Sequence, residues 1–465
     1  MRILHTSDWH LGQSFYGKSR ADEHQAFLTW LLEQVQTQHI DAVIVAGDIF
    51  DTGTPPSYAR EMYFNFVALM HETGCELIVL AGNHDSVAML SESKALLTRL
   101  SAKVISTAQP ASTADTNEQV FYLYGKERKD DNKKSQPKAV LCAIPYIRPR
   151  DIVQSQAGQS ALDKQQSLQL AIKNHYQALF EQAQILANVD KSITDENITD
   201  ACATIPKNLP IIATGHLTTL GVTLTESVRE IYIGTLEAFP ASEFPNADYI
   251  ALGHIHRAQK VAKTEHIRYC GSPIALSFDE ANQDKKVLLV EFKQVNDNES
   301  SNVNVTELVI PCFQPLVMVK TSLEQVSASV KCAVENTLLP AGKKLWLDIE
   351  INSHDYLQDL QNRIEHLIAD YPVEILLVRR SKKSRDSMPN SQKKVTLSEL
   401  TLDDVFDARM SREQWDNEDE LNRKSRLTTL FKQAVETVSL ALPAEDESKG
   451  KSKPETKAEV KSNLT

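Results

Sequence analysis

Through its first 275 residues the chain alternates short apolar runs with longer stretches in which apolar residues recur at helical spacing. Ile3–Thr6, Ala42–Ala46, Leu77–Ala81, Val140–Ile144, Ile211–Thr214 and Tyr249–Leu252 are too short for helices and read as buried strands. Between them, Glu23–Val35 repeats Phe27, Leu28, Leu31, Leu32 and Val35 on one helical face, and Ser57–His71 follows the turn-forming Pro55-Pro56. Gln165–Asn188 is a third helical pattern, with Leu168, Ile172, Leu179 and Ile185 on a shared face. The alternation predicts an α/β core. Two stretches interrupt it as surface loops: the charged Lys126–Lys138 and the polar Ala187–Asn208.

From about Leu288 the pattern changes. Val287–Phe292 and Val303–Ile310 predict a hairpin that closes the first domain, residues 1–310. Leu316–Lys320, Leu323–Leu338, Leu345–Ile351, Tyr356–Ala369 and Val373–Arg379 then read as strand, helix, strand, helix and strand, a small α+β unit over residues 311–381. A basic linker and two helices, Ser398–Met410 and Arg412–Leu442, occupy residues 382–442. The Lys-, Glu-, Ser- and Pro-rich residues 443–465 predict a disordered tail.

Composition narrows the class. With 465 residues, 42% hydrophobic and 24% charged, the chain has material for a globular core, which excludes collagen-like and fully disordered readings. No apolar run approaches the ~18 residues a membrane helix needs. Met1-Arg2 leads into the polar Ser7-Asp8-Trp9-His10 where a signal peptide would stay apolar, so a cytoplasmic location is expected. Six scattered cysteines without Cys-x-x-Cys spacing predict buried free thiols rather than disulfides or a zinc knuckle. A formal charge of −12 argues against a surface coated for nucleic acid but leaves room for a local basic track.

Five motifs carry the chemistry. Asp8-x-His10, Gly47-Asp48-x-x-Asp51, Gly82-Asn83-His84-Asp85, Gly215-His216 and Gly253-His254-x-His256 each follow a predicted strand, where open α/β sheets place ligand groups. A lone Asp-x-His or Gly-His carries little weight, but here 5 of the 13 histidines fall in strand-end motifs. Carboxylates, an amide oxygen and imidazoles without thiolates suit manganese, magnesium, iron or zinc. Asp8, His10, Asp48, Asn83, His216, His254 and His256 are seven candidate donors, more than one ion with room for substrate would use. They suit two ions sharing a carboxylate, a design that binds a phosphodiester and activates a water.

These ordered blocks resemble the calcineurin-like metallophosphoesterase superfamily, and within it the SbcD nuclease family. The segments HTSDWHLGQSFYGKSR, AGDIFDTGTPPSYAR, LAGNHDS, ATGHLTTLG, YIGTLEAFPASEFPNADYIALGHIHRAQ and YCGSPIALSF all look like that family's blocks. The likeness runs from Met1 to about Arg380 and resumes at TLSELTLDDVFDARM. It implies a four-layer α/β/β/α sandwich with a small α+β capping domain and C-terminal helices. One ion would be held by Asp8, His10, Asp48 and His256, the second by Asp48, Asn83, His216 and His254. His84 would face the scissile phosphate, with Asp85 orienting it and Asp51 orienting a ligand; both acids could equally cap turns. Asp51, where purple acid phosphatases carry Tyr, argues against an iron–tyrosinate centre. Thr52-Gly53, where Ser/Thr phosphatases carry Arg-Gly, lacks a clamp for phosphoprotein substrates.

The segment Arg379–Lys394 holds seven basic residues and one acid, Asp386, and reads equally as a DNA-backbone track or a solvated linker. In Arg412–Leu442, Trp415, Leu421, Leu427, Leu430, Phe431, Val435 and Val438 lie near helical spacing. The resemblance implies docking of this region on an SbcC-type ABC ATPase, in a heterotetramer with two copies of each subunit, and a homodimer of this chain. The absence of a G-x-x-x-x-G-K-[ST] loop means that this chain binds no nucleotide and the partner supplies ATP. The expected activity is hydrolysis of DNA ends and hairpins with two Mn2+ ions, or Mg2+. A small-molecule phosphodiesterase and an inactive scaffold are the alternatives; the first needs no capping unit, the second no complete donor set.

Overall fold

The computed structural model describes residues 1–109, 118–125, 136–153, 160–188, 208–228, 238–293, 302–351, 360–381, 406, 409–410 and 423–431. The first domain begins β1 (Arg2–Thr6), a small hairpin of β2 (Ser14–Phe15) and β3 (Lys18–Ser19), α1 (Ala21–Thr37), β4 (Ala42–Ala46), α2 (Ser57–Glu72) and β5 (Glu76–Leu80). It continues with α3 (Val87–Glu92), α4 (Lys94–Arg99), β6 (Ala102–Ile105), β7 (Val120–Leu123), β8 (Ala139–Cys142), α5 (Pro149–Ile152), α6 (Ala161–Ala187) and β9 (Ile211–His216). The strands β10 (Tyr249–Gly253), β11 (Gln259–Lys260), β12 (Ile267–Tyr269), β13 (Lys286–Lys293) and β14 (Asn302–Val309) complete it.

Two six-stranded sheets result, ordered β14-β13-β1-β4-β5-β6 and β11-β12-β10-β9-β8-β7. They pack face to face through Ile3, Ile44, Ile78 and Leu80 from the first and Leu141, Ile212, Tyr249 and Ala251 from the second. The outer face of the first sheet is covered by α1 and α2 through Phe27, Leu31, Phe66 and Val67. The outer face of the second is covered by α6 through Leu168, Ile172, Tyr176 and Leu179. These are the four layers that the resemblance implies. Strands sandwiched this way are apolar on both sides, which is why β4 reads as five consecutive buried residues.

His5 ties the sheets together just below the strand ends. Its Nε2 donates to the Leu252 carbonyl at 3.2 Å, which leaves Nδ1 to accept from the Tyr249 hydroxyl at 2.9 Å. Burial holds this imidazole neutral, its pKa pushed down to about 3. The register places the carboxyl ends of β1, β4 and β5 beside those of β9 and β10, with Gly253 opposite His216.

The following residues form β15 (Leu316–Thr321), α7 (Val326–Glu335), β16 (Leu345–Ile351), α8 (Leu360–Ile368) and β17 (Val373–Arg380). All three strands are parallel, and α7 and α8 pack on them through Val326, Val330, Ile364 and Ile368. This unit docks on the first domain through a small core of Leu316 and Trp346 against Phe15 and Phe278.

Where sequence and structure differ, the reason is local. The helix read from Gln165 starts at Ala161, because Ser160 and Asp163 form a capping box that precedes the apolar repeat. The helix read over Leu323–Leu338 is a 3-10 turn at Leu323–Gln325 followed by α7. Cys75, Cys142 and Cys270 are buried free thiols as expected, whereas Cys312 and Cys332 are exposed, a correction. Most of the two loop readings 126–138 and 187–208, the linker 382–394, the start of the helix read from Tyr356, and the tail 443–465 lie outside the described residues, as does most of the two C-terminal helices. The second compact unit, Ser387–Thr465, is described at a helix over residues 423–431 and at Phe406, whose ring stacks on Phe431 at 4.1 Å.

Candidate metal centre

The donors sit where the chain leaves a sheet, and their backbones are bent to suit. Asp8, His10, Asp48 and His254 have φ of +54°, +48°, +51° and +91°, left-handed conformations that non-glycine residues rarely adopt. The turns after β1 and β4 run side by side, with Asp8 N–H donating to the Gly47 carbonyl at 3.0 Å and His10 N–H to the Asp48 carbonyl at 3.1 Å. Glycines let the layers close. A Cβ on Gly47 would lie 2.1 Å from His216 Nδ1, and one on Gly82 would lie 2.1 Å from Asp48 Oδ1.

Asp48 is at the centre. Its Oδ1 accepts from the His84 backbone N–H at 2.9 Å, while Oδ2 lies 3.2 Å from His216 Nε2 and 3.7 Å from His10 Nε2. On one side Asp8, His10 and His256 bring ligand atoms within 4.8 Å of one another, and on the other Asp48, His216 and His254 do the same. Asn83 Oδ1 joins the second group, 2.9 Å from His216 Nε2 and 3.2 Å from His254 Nδ1. All seven residues predicted as donors therefore meet in one cluster, although they are spread over nearly 250 positions. Asp8 is fixed by Ser7 Oγ at 2.5 Å and by the His254 N–H at 2.9 Å.

Hydrogen bonds choose the ring nitrogens. His216 Nδ1 donates to the Ala46 carbonyl at 2.9 Å, so Nε2 is the nitrogen that faces Asp48 and Asn83. His10 Nδ1 is held by Asp51 Oδ1 at 3.1 Å, the orienting role offered for that acid. His256 Nδ1 lies 2.6 Å from Ser227 Oγ. Burial opposes charge here, yet the His216, His84 and His10 rings hold the Asp48 carboxyl well below its ordinary range. Against the same burial penalty, Asp48 raises His216 to about 9.

A cation fits this arrangement. His10 Nε2 and Asp48 Oδ2 are buried, lack a hydrogen-bond partner and lie 3.7 Å apart, two ligand-type atoms facing each other. Hard and borderline donors without a thiolate match a divalent ion.

His84 flanks the cluster, its ring edge-on to His10 at 4.8 Å. Asp85 does not hold it: the expected orienting bond is corrected by the structure. His84 Nδ1 lies 2.7 Å from the Asp51 carbonyl, which can only accept. The Asp85 carboxylate instead accepts backbone N–H groups of Gly82, Phe50 and Ile49 at 2.8, 3.0 and 3.1 Å, pinning the turns after β4 and β5 together. Burial, with the neighbouring Asp48 charge, raises its pKa to about 6. The sequence reading missed Ser227, which contacts His256 Nδ1, Glu280, which accepts from Ser227, and Lys285, which donates to the His256 carbonyl; no motif spacing marks them.

Two α/β sheets meeting at a cluster of carboxylates, imidazoles and one amide define a metal-dependent phosphoesterase of the calcineurin-like class. The calcineurin-like phosphoesterase family matches residues 1–258, and the type 5 capsule protein repressor C-terminal domain family matches residues 312–414. The chain is 47% identical over 440 residues to the SbcD subunit of nuclease SbcCD from Escherichia coli (strain K12), covering 94% of this chain and 99% of that one. The SbcD subunits from Bacillus subtilis and Rhodobacter capsulatus are 29% and 31% identical, covering 77% and 63% of this chain and 80% and 66% of theirs. The chain belongs to the SbcD nuclease family, whose phosphoesterase domain is a divalent-metal hydrolase.

Proposed function

We propose that this chain hydrolyses DNA phosphodiester bonds with two Mn2+ ions, Mg2+ being the substitute. Asp8, His10, Asp48 and His256 would hold one ion, and Asp48, Asn83, His216 and His254 the other, with Asp48 shared. The observation that carries this reading is the pair of donor groups Asp8, His10 and His256 and Asp48, His216 and His254, each with ligand atoms within 4.8 Å of one another. When bound, the ions supply Lewis acidity to the phosphate and lower the pKa of a water nucleophile. The protein's own part is preorganisation. Asp51 and the Ala46 carbonyl aim His10 and His216, so the ligand nitrogens point inward before any ion arrives. With Nδ1–H donating to the Asp51 carbonyl, His84 in its doubly protonated form would present Nε2–H to hydrogen-bond the phosphate and pass that proton to the leaving oxygen, leaving a neutral ring.

Residues 1–310 form the nuclease domain in this reading, 311–381 the cap, 382–442 the docking segment for an SbcC-type ABC ATPase, and 443–465 a tail. The named relatives support that partner, since the E. coli protein is one component of nuclease SbcCD. We place the chain in a heterotetramer with two copies of each subunit, its nuclease domains paired, acting on DNA ends and hairpins in the nucleoid-bearing cytoplasm. The double-strand exonuclease activity runs 3′ to 5′ with ATP. No described helix is long and apolar enough to cross a membrane.

The test uses metal-stripped protein, Mn2+, an end-labelled DNA hairpin and bis-p-nitrophenyl phosphate in parallel, with His84→Ser as the control. Hairpin cutting that disappears in the variant supports the reading. Turnover of the small diester alone, unchanged by adding the ATPase, makes it a small-molecule phosphodiesterase. No turnover of either substrate with the partner present leaves a scaffold.

A further inference from the structure

Behind His256 lies a buried polar network that neither the metal ligands nor His84 account for. Ser227 Oγ sits 2.6 Å from His256 Nδ1, and its hydroxyl donates to Glu280 Oε1 through a short hydrogen bond. A hydroxyl that gives its proton to a carboxylate must accept from the ring, so His256 carries its proton on Nδ1 and its lone pair on Nε2. Glu280 is fully buried and receives further bonds from Ser277 Oγ and the Leu276 N–H, both at 3.1 Å, and from Ser272 Oγ at 3.3 Å. Lys285 Nζ, 2.5 Å from Glu280 Oε2, also donates to the His256 carbonyl at 3.1 Å and to Ser272 Oγ at 2.9 Å. The ammonium thus grips both the carboxylate behind the ring and the backbone that carries it.

Such an arrangement is costly to build. A buried ion pair is a net burden unless its remaining hydrogen-bonding capacity is met, and here it is met largely by bonds that converge on one residue. On the far side of the same turn Phe278 packs into the small core with Phe15, Leu316 and Trp346, anchoring Glu280 from behind.

We propose that Ser227, Glu280 and Lys285 are positioning residues that fix the tautomer and aim of His256 and thereby set the affinity of one of the two metal sites. The proposal rests on the metal-centre reading above. Ser227 acts directly on the ring; Glu280 and Lys285 act through it.

The experiment is a calorimetric Mn2+ titration of the full-length, metal-free protein and of Ser227→Ala and Ser227→Thr. The wild type should bind two ions. Ser227→Ala should weaken one of them by roughly 10–100-fold while the other stays unchanged. Ser227→Thr, which keeps the hydroxyl, should restore it. In hydrolysis assays Ser227→Ala should need more Mn2+ for half-maximal rate yet approach the wild-type kcat at saturation, and its melting temperature without metal should match wild type. Glu280→Gln should shift the same site, or unfold the protein, in which case Ser227→Ala decides. Two ions bound by Ser227→Ala with wild-type affinities would overturn the proposal while leaving the metal centre intact. A wild type that binds no Mn2+ would overturn both.

Discussion

At the scale of single residues, the site is a set of side chains held by neighbours that do no chemistry. Asp85 illustrates this, since its carboxylate pins three backbone N–H groups rather than His84. Asp85→Asn would place an amide against at least one of those donors. The expected cost is about 1.5–3 kcal/mol, the range for hydrogen bonds to a charged group, read as a lower urea midpoint. Activity per folded molecule should fall far less than in His84→Ser; an equal fall would return Asp85 to the role of orienting His84. Gly47→Ala is harsher. The new methyl would meet His216 at 2.1 Å on a backbone with φ of +96°, so one Mn2+ site should be lost in calorimetry even where the protein folds.

At the scale of elements, what the sequence disclosed depended on where each element lies. Strands β1, β4, β5, β9 and β10 are buried on both faces, so each carries a short apolar run that is easily read. Edge strand β6 is interrupted by the exposed Lys103, so no run stands out there. The donors were legible because glycine and small polar residues mark each strand end. Ser227 and Glu280 were not, because they are 29 and 24 positions from His256 and meaningful only through space. Helix α6 carries a second kind of hidden residue. His175 is buried on it with Nε2 unpartnered, and burial pushes its pKa down to about 4. The unfolded chain takes up this proton near pH 6.5 and the folded chain does not, so the stability is complete above pH 6.5 and lost progressively down to about pH 4. At pH 5 the loss is about 2 kcal/mol from this histidine alone. Urea melts at pH 7 and pH 5 should differ by correspondingly less in His175→Leu than in the wild type.

At the scale of the whole molecule, the first domain and the α+β unit share a small aromatic joint beside the ion pairs Lys18–Glu374 and Lys343–Asp22. Trp346 of β16 stacks on Phe15 at 6.0 Å, Phe15 packs on Phe278 at 5.2 Å, and Phe278 lies two residues from Glu280. Arg20 sits over both Phe15 and Trp346, at 4.8 and 5.7 Å from their ring centres. A shift of the α+β unit is therefore felt first by the turn that braces His256. Trp346→Ala should weaken the same Mn2+ site as Ser227→Ala, by about 0.5–2 kcal/mol, although Trp346 is no ligand. Calorimetry on the two single variants and the double variant checks this: a double variant weakened by less than the two single effects together marks one shared route, and full additivity marks two independent effects.

The division of the chain into Met1–Asp386 and Ser387–Thr465 separates the chemistry from the proposed docking of the ATPase. Every donor, His84 and the network behind His256 lie in the first unit, which holds the five apolar cores found among the described residues. A chain ending at Asp386 should then fold, bind two Mn2+ ions with wild-type affinity and turn over bis-p-nitrophenyl phosphate at the wild-type rate. It should fail to co-elute with the SbcC-type partner in gel filtration and show no ATP-dependent stimulation on double-stranded ends. If the shortened chain still co-elutes and responds to ATP, the docking surface lies in the first unit instead. If it loses the small-diester turnover as well, the second unit contributes to the site itself, and the separation of chemistry from assembly fails.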